Sequence, residues 1–180
     1  MNKRPERRRR RHRAIGGCVA ATAAALSMTA NAEAKSPLPA IVTESLDLAL
    51  ADERLALATY QTVLERFGDI RPFVNIAQAE QRHIEALLAI YARYGIPVPE
   101  AQPQVGPAAL TLDVIGLCQI GVAAEVENVR LYDEELLPNV EAYPDISSVL
   151  RALRDASANN HLPAFERCAS RRRGQGQQRH

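Results

Sequence analysis

The strongest constraint on the fold is the spacing of apolar residues, which recur every three or four positions in four separate segments. This spacing places the apolar side chains along one face of an α-helix, called the seam below. Only 4% of the residues are aromatic and none is Trp, whereas Ala, Leu, Glu and Arg are abundant. That composition favours helices over a β-sandwich, so the sequence predicts an all-α chain. The four predicted helices cover residues 44–67, about 72–94, about 110–136 and about 145–169.

The connections between these helices differ in length, and the difference predicts the topology. Short loops at 68–72 and 138–144 make antiparallel hairpins of the first two and the last two helices. The Pro-rich stretch after Gly95 has roughly 15 residues and spans about 50 Å at most, enough to run back along the bundle. The sequence therefore predicts a ferritin-like four-helix bundle over residues 35–170, with two antiparallel hairpins joined by a long crossover. Residues 171–180 are polar and predicted to form a disordered tail.

Three carboxylates occupy seam positions that neighbouring turns fill with apolar residues: Glu53, Glu80 and Glu125. An unpaired carboxylate is costly to bury, so such a group is protonated, paired or bound to a cation. His83 follows Glu80 by three residues on the same helix face, and His161 lies on the fourth seam. Bundles with di-iron or di-manganese centres use one Glu from each of two helices and Glu-x-x-His from each of the other two. The sequence therefore predicts an iron or manganese site, and these residues are its five predicted ligands.

An internal repeat supports this prediction. Glu53 is followed seven residues later by Tyr60, and Glu125 is followed seven residues later by Tyr132. Both tyrosines are interpreted as bundle packing and not as redox relays. Ala158 stands where the second Glu-x-x-His motif would have its Glu. The second metal position of a dinuclear site would therefore depend on water or on a neighbouring asparagine.

Parts of the chain resemble a known family of proteins. Four stretches look like an uncharacterised ferritin-like family of bacteria and archaea: ADERLALATY, FVNIAQAEQRHIEALLAIYARYGI, GVAAEVENVRLYDEEL and NNHLPAF. The likeness covers about residues 44–168, and NIAQAEQRH is its most specific part. It implies a ferritin-like four-helix fold and a dinuclear metal site carried by the five predicted ligands. It implies no particular reaction.

The first 34 residues differ from the rest of the chain. They carry eight basic and two acidic residues, a net charge of +6 in a chain whose total is +1. Their basic start, weakly apolar middle and small residues at the end are typical of a secretory signal peptide, with cleavage after Ala32 or Ala34. A basic arm for nucleic acid would not need the apolar run, and a membrane anchor would need a longer one. The sequence therefore predicts an exported protein, periplasmic or secreted, with neither a nucleic-acid partner nor a stable membrane span after processing.

The arginine cluster also resembles twin-arginine signals, which export proteins that have already folded around their cofactor. The usual apolar pair does not follow Arg10 and Arg11, since the next residues are His12 and Arg13. Twin-arginine export is therefore one of two routes that the sequence leaves open.

Cleavage of the signal would remove Cys18 and leave two cysteines. Cys118 precedes Glu125 by seven residues and Cys168 follows His161 by seven, which places both at one level of an antiparallel helix pair. Because exported proteins meet an oxidising environment, one prediction is a Cys118–Cys168 disulfide. The alternative is two separate buried thiols.

Together these features predict an exported ferritin-like metalloprotein whose metal centre reacts with oxygen or peroxide, as an oxidase-like or peroxidase-like oxidoreductase. Two other interpretations are open at this stage. One is a non-catalytic bundle that binds a single metal ion or a small ligand. The other is a structural bundle in which the Glu/His cluster is paired internally without a metal.

Overall fold

The computed structural model describes residues 37–100 and 102–173. The predicted signal peptide therefore lies outside the described residues, as do residues 174–180 of the predicted tail. Within the described part every regular element is a helix, which confirms the all-α prediction. No helix among the described residues is both long enough and apolar enough to cross a membrane.

The first hairpin consists of α1 (Ala40–Phe67) and α2 (Phe73–Tyr94). Helix α1 begins four residues earlier than predicted. Helix α2 ends at Tyr94, and Gly95 caps it with a left-handed φ of 63°. The N–H groups of Gly95 and Ile96 donate to the carbonyl oxygens of Ala92 and Tyr91 in the last turn of the helix. Glycine adopts this conformation without steric cost, and this explains the sharp end of the predicted second helix.

The connection between the two hairpins runs along α1. Arg54 donates a hydrogen bond to the carbonyl oxygen of Pro99 at 2.8 Å, and Arg66 donates one to Leu112 at 3.2 Å. Because Arg54 and Arg66 are separated by about three turns of α1, the segment between Pro99 and Leu112 spans the same stretch of that helix. The long crossover that the prolines predict is therefore present.

The third helix was predicted to cover residues 110–136, and its predicted start is wrong. A short helix α3 (Ala108–Thr111) ends before α4 (Val114–Leu131) begins. Asp113 separates them as the N-cap of α4, because its Oδ1 accepts a hydrogen bond from the Gly116 N–H group at 2.8 Å. The Asp-x-x-Gly spacing is a capping signal that the apolar periodicity alone does not reveal.

Both helices of the second hairpin widen into a π-helical turn. Helix α4 continues through the π turn Tyr132–Leu136 into α5 (Leu137–Asn139). The fourth long helix comprises the following elements: α6 (Pro144–Ala156), the π turn Ser157–His161, α7 (Leu162–Ala169) and a final 3₁₀ turn Ser170–Arg173. The predicted extent of 145–169 is close, but the helix is not uniform, and residues 171–173 of the predicted tail lie in its last turn.

A proline follows each π turn by two residues, at Pro138 and Pro163. Proline inside an α-helix cannot donate to the carbonyl four residues earlier, and its ring clashes with that carbonyl. A wider turn just before the proline relieves this conflict without ending the helix. The sequence predicted that a loop begins at Pro138, but this proline is helical and lies within α5.

The apolar core falls into two clusters along the bundle axis. One cluster is built around Leu46, Leu87 and Leu150, and the other around Val63, Phe73 and Phe165. Between them lies a band of acidic and imidazole side chains, called the Glu/His layer, which consists of the five predicted ligands: Glu53, Glu80, His83, Glu125 and His161. The helices therefore present these polar groups to the bundle interior.

Helices α4 and α7 approach each other closely below this layer. A Cβ atom placed on Gly121 would lie 2.6 Å from Cδ1 of Phe165, so only glycine fits at this crossing. A disulfide joins Cys118 to Cys168 on the same two helices, with 5.8 Å between their Cα atoms. The second hairpin is thus fixed both by packing and by a covalent bond.

Candidate metal centre

The structure brings all five predicted ligands together inside the bundle. The three glutamates and His161 are 3–4% exposed, and His83 closes one side of the layer with its side chain 14% exposed. The helices carry these residues because each seam position faces the interior at the same level. Their burial removes them from water, so each polar atom needs a partner within the site.

Glu80 occupies the centre of the layer, and its two carboxylate oxygens face different imidazoles. Oε2 lies 2.8 Å from Nδ1 of His83, which in turn lies 3.0 Å from Oε2 of Glu53. Oε1 lies 3.3 Å from Nδ1 of His161, which in turn lies 3.6 Å from Oε2 of Glu125. The layer therefore has two halves, each with one terminal Glu and one His, and Glu80 belongs to both.

The two imidazole rings stack across the layer. The ring centroids of His83 and His161 are 5.7 Å apart, with 26° between the ring planes. Ligand atoms of Glu80, His83 and His161 all lie within 4.8 Å of one another, a spacing at which three donors can share one cation.

The two tyrosines of the sequence repeat form reciprocal hydrogen bonds. Tyr60 on α1 donates to Oε1 of Glu125 at 3.0 Å, and Tyr132 donates to Oε1 of Glu53 at 2.8 Å. Each terminal glutamate thus offers one oxygen to a tyrosine of the other hairpin and directs the second oxygen toward a histidine. The prediction that these tyrosines serve packing is incomplete, because their hydroxyl groups also orient the carboxylates.

Burial and mutual contact shift the pKa values of the first half in opposite directions. Burial raises the pKa of Glu80 to about 9. The hydrogen bond with His83 opposes this rise, and the negative charge of Glu53 adds to it. Burial alone would lower the pKa of His83, but its hydrogen bonds with Glu53 and Glu80 raise that pKa to about 9. Burial also raises the pKa of Glu53, but the hydrogen bond and charge of His83 outweigh it and hold the pKa below its usual value. At neutral pH the layer without a cation therefore retains protons on Glu80 and His83.

The second half contains a polar atom that the protein does not satisfy. Nδ1 of His161 is buried, and it forms no hydrogen bond with any described residue even though Glu80 and Glu125 lie beside it. A buried nitrogen of this kind requires an additional partner. Iron and manganese bind carboxylate oxygens and imidazole nitrogens, so the residues around Nδ1 of His161 fit an ion of either metal.

The position of Glu53 along α1 places its side chain level with the rest of the Glu/His layer. Its distance from the end of α1 exceeds that of His83 from the start of α2 by about one turn. The five residues of the loop at 68–72 and the reach of the two side chains absorb the difference, since Glu53 and His83 are in contact. The antiparallel hairpin therefore aligns them.

Asp52 also lies beside the Glu/His layer, although the sequence did not predict it there. Its Oδ2 accepts a hydrogen bond from the side-chain amide of Asn128, one helical turn beyond Glu125. Burial raises the pKa of Asp52 to about 6, and the neighbouring charge of Glu53 adds to the rise. Asp52 precedes Glu53 directly and so lies off the seam, which is why periodicity gave no signal for it.

A cavity of about 360 Å³ opens beside the Glu/His layer. Its walls come mainly from α1, α4 and the crossover, with Phe73 and Glu80 of α2 and Ser157 of the second π turn, and they are mostly apolar. Asp52, Glu53, Glu125 and Asn128 line it near the layer. The cavity gives the buried carboxylates a route to the surface of the bundle.

The fold and the site define a class of protein: a helical bundle that buries a Glu/His cluster between two apolar clusters. The sequence profile of a family described as "Uncharacterized protein domain (DUF2202)" matches residues 44–111. The predicted resemblance to an uncharacterised domain family is thereby confirmed over that stretch. It includes Glu53, Glu80 and His83, whereas the other two predicted ligands lie beyond it.

An archaeal protein is similar to this chain over a larger part of its length. The uncharacterized protein MJ0754 of Methanocaldococcus jannaschii is 28% identical over 145 residues, which cover 74% of this chain and 77% of that protein. The crystal structure of the hypothetical protein MJ0754 from Methanococcus jannaschii DSM 2661 matches this fold with a TM-score of 0.63 at 23% identity, over 76% of this chain and 83% of the other. At this identity the structural likeness shows the fold alone.

Proposed function

We propose that this chain is an exported ferritin-like metalloprotein that binds two iron or manganese ions in the Glu/His layer and reacts with oxygen or peroxide. Four long helical segments, joined as two hairpins by a crossover along α1, support the ferritin-like part of the proposal. The basic and apolar N-terminal sequence supports export. The chemistry of the layer supports the metals.

The observation that carries the proposal is the position of Glu80. Each of its oxygens faces a different imidazole, and each imidazole also faces a terminal glutamate. Glu80 could therefore help to hold two cations, one together with Glu53 and His83 and the other together with Glu125 and His161. The unpartnered Nδ1 of His161, within the described part of the chain, is the ligand atom that such an ion would satisfy.

Other residues of the chain prepare the layer for a cation. Tyr60 and Tyr132 fix the terminal carboxylates, so that one oxygen of each is directed inward before any ion binds. The protons that Glu80 and His83 retain without a cation would leave when two positive charges replace them. The apolar clusters on both sides keep bulk water away from the layer.

When bound and reduced, an iron or manganese pair would supply electrons to oxygen or peroxide. A second Glu-x-x-His motif would add a carboxylate at position 158, where this chain has Ala158. The cavity beside Glu53 and Glu125 gives a small oxidant access to the layer. This arrangement favours an oxidoreductase role over a fully closed structural metal site.

One observation favours a second candidate function, the binding of a single metal ion. Glu80, His83 and His161 form a compact group of three donors, whereas the layer has one central carboxylate where known dinuclear bundles have two. A single ion between these three residues would make the chain a mononuclear metalloprotein or a metal-binding module.

Metal analysis distinguishes these functions. The processed protein, purified from an exported fraction and reconstituted with Fe(II) or Mn(II), should contain about two ions per chain under the dinuclear proposal and about one under the alternative. Glu80→Gln should remove most of this metal, because both halves of the layer lose an anionic oxygen. Glu85→Gln is the matched control, since Glu85 lies on the same helix but is exposed.

The absence of metal in the reconstituted wild-type chain would overturn both metal functions. In that case Glu80→Gln should leave the free energy of unfolding nearly unchanged at neutral pH, because Glu80 is already protonated without a cation and Gln is a neutral side chain of similar shape. A Glu80→Gln chain that keeps its full metal content would show that the metal binds elsewhere.

A further inference from the structure

The cavity beside the Glu/His layer is larger than access for oxygen requires. Its volume of about 360 Å³ lies in the range of pockets that bind small organic molecules. Its lining follows α1 from Asp52 to Val63, a length of about 16 Å. The cavity is therefore elongated along the helix axis.

The cavity exists because the crossover, and not a long helix, covers the space between α1 and α4. Gly106, Ala108 and Ala109 of the crossover form part of the wall, and the side chain of Arg66 on α1 holds this segment through the carbonyl oxygens of Ala109 and Leu112. Small residues on the crossover leave room inside. This crossover segment is hydrogen-bonded to α1 and is therefore part of the folded structure.

The two ends of the cavity differ in chemistry. Val63, Phe73 and Leu117 make the end distant from the Glu/His layer apolar. Asp52 and Asn128 line the end at the layer, where the amide nitrogen of Asn128 donates to Asp52. This hydrogen bond leaves Oδ1 of Asn128 as a buried acceptor with no partner in the described ranges of the chain.

An unpartnered buried acceptor requires a donor. The hydroxyl of Tyr60 already donates to Glu125, and neither it nor the hydroxyl of Ser157 forms a hydrogen bond with Oδ1 of Asn128 in the structure. A bound molecule or water can therefore supply the missing donor. A carboxylate or phosphate on the ligand would be repelled by Asp52, Glu53 and Glu125. The apolar walls select against a molecule that is polar along its whole length.

We infer that the cavity binds a small organic molecule with an apolar body and a hydrogen-bond-donating end, either a hydroxyl or an ammonium group, with that end at Asn128 and Asp52. The apolar body lies between α1 and the crossover and is directed toward Phe73. Binding of this kind does not require a metal. The further statement that the molecule is a substrate, with its polar end next to the reacting centre, rests on the proposed function.

The test uses three probes with the same six-carbon chain: 1-hexanol, hexylammonium and hexanoate. Their affinities for the full chain are measured by ligand-detected NMR titration after metal removal with a chelator. Hexanol and hexylammonium should bind at least about tenfold more tightly than hexanoate, a difference of about 1.4 kcal/mol. Equal affinity for hexanoate would overturn the inference.

Two substitutions on α1 place the binding in the cavity. Ala56→Leu adds three carbons to the cavity wall and should weaken hexanol binding at least about tenfold. Ala51→Leu makes the same change on the exposed face of that helix, outside the cavity lining, and should leave affinity within about twofold. If Ala56→Leu does not fold by circular dichroism, Ala124→Leu on the opposite wall replaces it with the same expected loss. Binding that survives the filled cavity overturns the inference.

Asn128→Leu tests the polar end. The variant removes the unpartnered acceptor, so hexanol should bind more weakly than to the wild-type chain while the apolar walls stay intact. Hexanoate should remain the weaker ligand, because the carboxylates that repel it are unchanged. A chain that binds metal but none of the probes would overturn this inference alone. A chain that binds the probes but no metal would overturn the proposed function alone.

Discussion

Glu80 is the residue on which both halves of the Glu/His layer depend, since each of its oxygens faces a different histidine. The sequence predicted its burial and its partnership with His83 from seam position and spacing. It did not predict that Glu80 also reaches His161, because the relative rotation of four helices is set by packing and not by periodicity. The hydroxyl contacts of Tyr60 and Tyr132 were missed for the same reason.

At this scale we expect the tyrosine hydroxyls to stabilise the layer. Tyr132→Phe removes the donor to Oε1 of Glu53 and leaves that oxygen buried without a partner, which should cost about 1–3 kcal/mol of unfolding free energy. Tyr60→Phe removes the donor to Oε1 of Glu125 and should lower the unfolding free energy by a similar amount. Urea unfolding of the metal-free chain measures both.

Tyr143→Phe is the control, because it deletes a hydroxyl from a tyrosine outside the Glu/His layer. A loss of stability as large in the control as in the two site variants would show that the hydrogen bonds to Glu53 and Glu125 contribute nothing specific.

At the scale of helices, the second hairpin departs most from the prediction. Its two π turns each precede a Leu-Pro pair, at 137–138 and 162–163, so the sequence does contain a local signal for them. Periodicity could not reveal it, because a π turn shifts the seam by a fraction of a turn without interrupting the apolar pattern. The shift matters for the site, since Tyr132 begins one π turn and His161 ends the other.

The crossing of α4 and α7 should tolerate no side chain at Gly121. In Gly121→Ala the new Cβ would overlap the ring of Phe165, and overpacking of this kind costs about 1–3 kcal/mol, partly offset by about 1 kcal/mol of better helix propensity. The unfolding midpoint in urea should therefore fall.

Gly106→Ala is the matched control for this crossing, because a Cβ there meets no atom within 4 Å. Its unfolding free energy should change by less than about 0.5 kcal/mol. A Gly121→Ala chain as stable as this control would contradict the close approach of the two helices.

The disulfide between α4 and α7 should stabilise the same hairpin. Cys118 and Cys168 are 50 residues apart in sequence, and a closed loop of this length contributes about 4 kcal/mol in the chain-entropy model. The double variant Cys118→Ala/Cys168→Ala should lose stability by that order in oxidising buffer. With a reducing agent present, wild type and variant should converge, and equal stabilities in oxidising buffer would show that the bond does not form.

At the scale of the whole molecule, the sequence predicted the number of long helices and the crossover but not the cavity. Proline content and loop length are local properties, so they predict topology well. The cavity depends on how far α1 and α4 separate and on which small crossover residues cover the gap. Those distances result from the packing of both apolar clusters together.

Binding of metal by the folded chain alone should make stability depend on metal concentration. At a free ion concentration one hundred times the dissociation constant, the unfolding free energy should rise by about 2.7 kcal/mol for each site. Thermal unfolding with and without Mn(II) measures this rise. The Glu80→Gln variant should show little of it, and an equal rise in both chains would place the ion outside the layer.

Anomalous X-ray diffraction at the metal absorption edge, on crystals reconstituted with Fe(II) or Mn(II), tests the proposed dinuclear centre most directly. Two peaks are expected on either side of Glu80, one next to His83 and Glu53 and one next to His161 and Glu125. A single peak between Glu80 and the two histidines would support the mononuclear alternative. No peak in the Glu/His layer, or peaks only at exposed carboxylates, would contradict the account.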